Sequence, residues 1–184
     1  MEHFYHFFVS SLPLLRLFEE PPWSSEAFLA ECARHLSPDD MKLLDATRVV
    51  PEFDKRIPAG TMSYNWMNFE IQLRDRIARQ IAGQRKDSAA YLRDSNQCYP
   101  ETERAVSEAW SQANPLEREK VLDTYRWRFL SDQEATKPFG AVGVICMYKI
   151  KLHLVEKWNR RHREAGEANL EKILEKSGHI ADHE

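Results

Sequence analysis

What this chain of 184 residues has little of narrows it first. Its six glycines are scattered, and none belongs to a glycine-rich loop ending in GK[ST], so a Walker-type phosphate cradle is excluded. Together with nine prolines they supply too few turn residues to punctuate the many short strands of an all-β fold. The three cysteines, Cys32, Cys98 and Cys146, are odd in number, far apart and never in a CxxC pair. That pattern argues against both a disulfide framework and a zinc knuckle, and buried reduced thiols are expected. No charge excess is present: 26 basic residues stand against 29 acidic ones, for a net charge of −3, which makes no global field for nucleic acid or membrane. No window supplies the roughly 18 uninterrupted apolar residues of a membrane span. The opening MEHFYHFFVSSLPLL lacks the basic start, unbroken apolar run and small-residue cleavage site of a signal peptide. The chain is expected to be cytoplasmic and unprocessed, and long enough to bury a core as a single domain over 1–184 without metal or disulfide staples.

What is there is helical. Ser24 and Ser25 offer caps to a helix through Phe28, Leu29, Cys32 and Leu36, whose spacing marks one buried face. Ser37-Pro38-Asp39-Asp40 then sets a cap, a proline at the first helical position and an acid three residues after the cap, opening a short helix to about Ala46. The stretch from Val49 to Gly60 has two prolines and no helical period, so it reads as a connector. Trp66, Phe69, Leu73, Ile77 and Ile81 predict an amphipathic helix in SYNWMNFEIQLRDRIARQIAGQRKD, with Arg74, Asp75, Arg76 and Arg79 on its other faces. A polar link around Asp94 to Gln97 follows. Pro100 and Glu101 open a helix through Val106, Ala109, Trp110 and Ala113, closed by Asn114-Pro115, and the next uses Leu122, Tyr125 and Phe129. Pro138-Phe139-Gly140 breaks it. A long last helix from about Ala141 to Lys176 carries Val142, Ile145, Leu152, Val155 and Trp158 on its apolar side, with Gly166 placed to kink or end it. The expected fold is all-α, a single helical bundle of about six helices with a long C-terminal helix.

The segment Phe4 to Leu17 is the most apolar of the chain, and its role has to be decided. FYHFFV has the aromatic and β-branched residues of a strand. No other stretch offers such a strand a partner, and unpaired backbone groups are costly to bury. A helix satisfies its own backbone, and one that is apolar nearly all round belongs in the middle of a bundle. A buried N-terminal helix, bent or ended near Ser10 to Pro13, is therefore expected.

The same residues carry a resemblance. YHFFVSSLPLLRLFEEPPWSSEAFLAEC, with its aromatic start, SSLP turn, proline pair and Ser-capped helix, resembles an uncharacterised bacterial family encoded within operons for the V/A-type ATPase. That family is in turn similar to the C subunit of the ATPase (d in eukaryotes), an all-helical funnel that sockets the rotor shaft onto the membrane ring. The late segment with Tyr148, Lys149, Leu152, Leu154, Glu156, Lys157 and Trp158 also looks like the family's C-terminal part. The chain is too short for a funnel of three helical repeats, so the resemblance implies an accessory, assembly or C-like structural component. Such a protein would be peripheral to the membrane through the complex, with V/A-type ATPase subunits as partners. It supplies no catalytic residues to carry over, and neither cofactor nor metal is expected.

The residues themselves form no catalytic or metal-ligand pattern. Glu31 and His35 lie one helical turn apart, as do His153 and Glu156, but without a paired Glu-x-x-His motif they read as surface hydrogen bonds rather than ligands. Ser10 and Ser11 have no GxSxG frame and suit a turn or helix end. The sharpest local feature is YKIKLHLVEKWNRRHR, residues 148–163, in which six basic residues surround a single acid, Glu156, and the aromatic Trp158. Such a stretch can be a solvated stripe on a helix whose apolar side is core, a surface for an acidic protein, or a grip on RNA. Arg160, Arg161 and Arg163 lie beyond Trp158, the last clear core position, and are the expected partner-binding residues. The expected function is non-enzymatic, through protein contacts at the ATPase. The alternative is a helical adaptor or RNA-binding protein unrelated to it.

Overall fold

The computed structural model describes residues 3–52, 57–83 and 98–181, with side chains up to residue 164. Seven helices occur among the described residues: α1 (His6–Ser11), α2 (Ser25–His35), α3 (Pro38–Ala46), α4 (Met62–Ala82), α5 (Glu101–Trp110), α6 (Pro115–Ala135) and α7 (Val142–Ala181). The only other regular pairing there is an isolated antiparallel bridge between Phe4 and Ala141. The fold is all-α, and each helix contributes at least one residue to a single buried apolar cluster.

Local chemistry explains most helix starts. Ser24 Oγ accepts the Ala27 amide at 3.2 Å, Thr61 Oγ1 the Tyr64 amide at 3.2 Å, and Asn114 Oδ1 the Glu117 amide at 2.9 Å. Each supplies a partner for one orphan donor of a first turn. Before α3, Ser37 Oγ accepts from the Asp40 amide at 3.2 Å and donates to the Asp40 carboxylate at 2.8 Å. Asn114-Pro115 turns out to be a start as well as a stop, since Pro115 occupies the first turn of α6. Gly83, at φ +58°, ends α4. The end of the expected amphipathic segment and the polar link at Asp94 to Gln97 lie outside the described residues.

The helix that is buried on nearly every side is α7, and this corrects the expectation made for the N-terminus. From Val144 to Trp158 its buried positions include Ile145, Met147, Ile150, Leu152, Leu154 and Val155, which no single helical face can hold. It packs against α2, α3, α4 and α6, while α5 packs on both α4 and α6, and Phe69 of α4 stacks on Phe129 of α6. The axis of the bundle is thus taken, and α7 runs on as helix through Gly166.

The opening segment is peripheral. α1 spans six residues and ends where expected, at Ser11, with Leu12 already extended. A helix of less than two turns can bury one stripe, and of its apolar residues only Phe8 is buried, stacked on His35 with ring centroids 4.8 Å apart. Phe7 is 94% exposed and Leu14 77% exposed. The strand partner judged missing also exists in minimal form: the Tyr5 amide donates to the Gly140 carbonyl at 2.7 Å. Gly140 sits at φ +84°, and a Cβ there would lie 2.8 Å from His6 Nδ1 and 2.9 Å from the His6 amide nitrogen, so both the turn and the approach require glycine. Tyr5 fastens the other side, its hydroxyl donating to Asp40 at 2.5 Å and accepting from the Ser37 amide at 3.1 Å.

Between α1 and α2 the chain crosses α7. Tyr148 Oη donates to the Pro13 carbonyl at 2.9 Å and accepts from Trp23 Nε1 at 3.0 Å. Phe18 takes the left-handed φ of +74° and sets its ring edge-on to Trp158, centroids 5.1 Å apart. Cys32 and Cys146 are buried, and burial pushes their thiols up to about 12 and about 11, so both stay protonated. Cys98 is exposed, against the expectation that all three would be buried.

Candidate functional site

The six cations of residues 148–163 divide by the direction in which each leaves α7. Lys149 and Lys151 sit among core residues, because α7 is surrounded there, and both are buried. Lys149 Nζ donates to the Leu44 carbonyl at 2.7 Å, which also accepts from the Thr47 amide at 3.1 Å at the end of α3. Burial lowers the Lys149 pKa, and Asp45 partly offsets this. Lys151 Nζ pairs with Glu134 at 2.5 Å and lies over the Trp127 ring.

Lys157 and Arg161, one turn apart, face α6. Lys157 bridges Glu119 at 2.6 Å and Asp123 at 2.7 Å, and Arg161 pairs with Glu119 while its guanidinium covers Trp158. Burial raises the Glu119 carboxyl, but the hydrogen bonds from Arg161 and Lys157 outweigh it and leave the pKa lowered. These contacts belong to a larger charged network at the centre of the bundle. Asp123, 0% exposed, accepts from Arg126 at 2.9 Å, from Lys157 and from Trp158 Nε1 at 2.8 Å. Arg126 continues to Glu70 of α4 at 2.6 Å, and Glu70, 1% exposed, also accepts from Arg74 at 3.0 Å. No buried side-chain polar atom among the described residues lacks a hydrogen-bond partner. The cations therefore match the carboxylates inside the fold, and a network satisfied in this way holds helices in register.

Arg160 and Arg163 leave α7 on another side. They line a groove of about 470 Å³ with Glu156, opposite Pro21, Trp23 and Ser24. Of the three arginines expected to form one partner surface, the structure keeps two together and turns Arg161 to α6. Helical geometry requires it, since 160 and 163 are about 60° apart around the axis and 161 follows 157. The pair His153 and Glu156 is committed as well. The Glu156 carboxylate accepts the Ser25 amide and hydroxyl, both at 2.6 Å, where α2 begins, and His153 Nδ1 lies 3.4 Å from it. Burial lowers the His153 pKa, partly offset by Glu156. Glu31 holds His35 at 3.1 Å and Arg34 at 2.8 Å on the surface of α2. Among the described residues no three His, Cys, Asp or Glu side chains converge as metal ligands would.

A third feature was not read from the sequence as a surface. Phe4, His6 and Phe139 form a stack, with centroids 5.7 Å apart at each step, and Phe4 and Phe139 are exposed large apolar residues. The exposed Phe7 follows His6 in α1. The aromatic content of the opening was legible, but its exposure depends on α7 having filled the centre.

The architecture is that of an all-helical scaffold in which no helix, among the described residues, is long and apolar enough to cross a membrane. Residues 100–179 match a family described as "Protein of unknown function (DUF2764)". The matched stretch holds α5, α6 and nearly all of α7, including Asp123, Arg126, Lys157 and the arginines, and leaves the opening segment outside. No curated protein and no solved structure matches the chain.

Proposed function

We propose that this chain is a non-enzymatic structural protein that works by binding other proteins, and that the assembly it serves is a V/A-type ATPase, as an accessory or assembly component. The observation that carries the contact reading is the exposed aromatic end of the bundle, where Phe7 is 94% exposed beside the stack of Phe4, His6 and Phe139. Apolar surface of this kind, on a chain whose other large aromatics are mostly packed, is what a protein partner covers. The buried charges support the same reading. Glu70, Asp123 and Arg126 are bonded to one another or to neighbouring side chains, an arrangement that holds helices rather than one poised for proton transfer. The ATPase half rests on the resemblance of the opening segment.

Affinity purification of the tagged chain from its native cell tests both halves. ATPase subunits are expected among the recovered proteins, and a Phe7→Ser/Phe139→Ser variant should lose them while keeping its helix content and melting temperature. Recovery of other proteins without any ATPase subunit refutes the ATPase half. Undiminished recovery by the double variant refutes the aromatic surface. Magnesium-ATP should leave the melting temperature of the purified chain unchanged, because a ligand that binds the folded state raises it.

A further inference from the structure

The backbone at Phe4 is left with one open edge. In the antiparallel bridge between Phe4 and Ala141 the hydrogen bond joins the flanking residues, running from the Tyr5 amide to the Gly140 carbonyl at 2.7 Å. A residue so placed turns its own N–H and C=O away from the strand it faces. Neither the Phe4 amide nor the Phe4 carbonyl has a hydrogen-bond partner among the described residues, and Phe4 is 45% exposed. The edge is also held in shape. His3 and Tyr5, on either side of Phe4, both reach the Asp40 carboxylate, at 3.3 Å and 2.5 Å. Strand alternation puts the Phe4 side chain on the opposite face, where its ring stacks on His6 and, through His6, on Phe139. A free donor and acceptor on a fastened backbone, beside exposed rings, are what strand addition uses: main-chain bonds hold the incoming segment and the rings take its side chains.

We infer that Phe4 takes up an extended, apolar segment of a partner protein as an added antiparallel strand. One residue of that segment faces Phe4 and exchanges both main-chain hydrogen bonds with it, and its side chain, β-branched or aromatic, lies on the same face as the Phe4, His6 and Phe139 rings. This docking mode rests on the protein-contact reading of the aromatic end above and specifies the form the partner takes there. A helical segment suits the edge less well, because the backbone groups along a helix are already bonded to one another. The edge is fixed before binding by Asp40 and Gly140, so the cost of ordering falls on the incoming segment alone.

The test is nuclear magnetic resonance on the isotope-labelled full chain. The probe is a peptide of alternating valine and threonine, flanked by lysines for solubility, and the second probe is the same peptide N-methylated at its central residues. The first should shift the Phe4 amide signal saturably and slow its hydrogen exchange about tenfold. The second keeps every side chain but puts a methyl group where the bond to the Phe4 carbonyl forms, and should bind about tenfold more weakly. Among variants, Phe4→Ala removes the ring and keeps the amide, whereas Phe4→Pro removes both. The alanine variant should bind the first peptide about tenfold more tightly than the proline variant at equal helix content, since the Phe4 amide has no partner in the fold to lose. The N-methylated probe makes the same comparison on the intact protein. No saturable shift at Phe4, equal binding of the two peptides, or equal binding by the two variants overturns the inference. So does a wild-type chain that sediments as a dimer and becomes a monomer with Phe4→Pro, because a second copy then fills the edge. Peptide binding at Phe4 with no ATPase subunit recovered from cells supports the edge and refutes the ATPase reading. Subunits lost with Phe7→Ser/Phe139→Ser, but no peptide binding at Phe4, keep the aromatic surface and refute the added strand.

Discussion

Asp123→Asn is the substitution on which the description of the core depends most. The carboxylate is fully buried, with Arg126 on one oxygen and both Lys157 and Trp158 Nε1 on the other. Asparagine keeps the volume, removes the charge and turns one acceptor into a donor that faces another donor. Arg126 keeps Glu70 and Lys157 keeps Glu119, so neither cation is stranded completely. The loss is then that of one partner from a buried ionic network, about 3–5 kcal/mol, from a total that for single domains is about 5–15 kcal/mol. At about 2–4 °C per kcal/mol for a chain of this size, the midpoint should fall by about 6–20 °C. Lys157→Met is the comparison, since Lys157 is partly open to solvent and Asp123 would retain two donors. That change should cost only about 1–2 kcal/mol, the range of one charge-assisted hydrogen bond partly open to water. Thermal melts followed by circular dichroism, repeated on the double variant, give the coupling between the two positions. An Asp123→Asn protein melting within about 2 °C of wild type, less than 1 kcal/mol, would show that the network does not hold the bundle together.

Two further predictions probe other parts of the molecule. Gly140→Ala should destabilise by about 1–3 kcal/mol and speed trypsin cleavage after the exposed Arg16, because the new Cβ meets His6 and loosens the N-terminal strap; Gly60→Ala, also at positive φ but with nothing within 4 Å, should cost only backbone strain, and equal costs would refute the clash. Stability should fall with acid in two windows: the lowered His153 pKa means that stability present above its ordinary 6.5 is lost as pH falls through the folded value, and the lowered Glu119 pKa means the same below 4.5. Glu119→Gln should flatten the lower limb of that profile, and an unchanged limb would refute the pairing with Lys157 and Arg161.

By itself the sequence determined what is local. Ser37-Pro38 with Asp40 places the start of α3, and apolar spacing places α2 and α4, because caps, proline geometry and helical periodicity act over a few residues of one chain segment. It also determined where α1 stops, since Ser10 to Pro13 cannot continue an apolar helix. Which helix lies in the middle was decided only by the tertiary structure. FYHFFV and the first half of α7 are both apolar enough for that place, but a helix of six residues cannot span the bundle, while α7 can be enclosed by α2, α3, α4 and α6. The partners of the charged residues were decided there too. Nothing in RDRIARQ or KVLDTYR marks Asp75 or Asp123 as buried, because a carboxylate can be buried only when cations arrive from elsewhere, as Lys157 does for Asp123 from 34 positions away. Arg160, Arg161 and Arg163 are alike as letters; the 100° turn between successive residues sends Arg161 to Glu119 and leaves the other two on the groove.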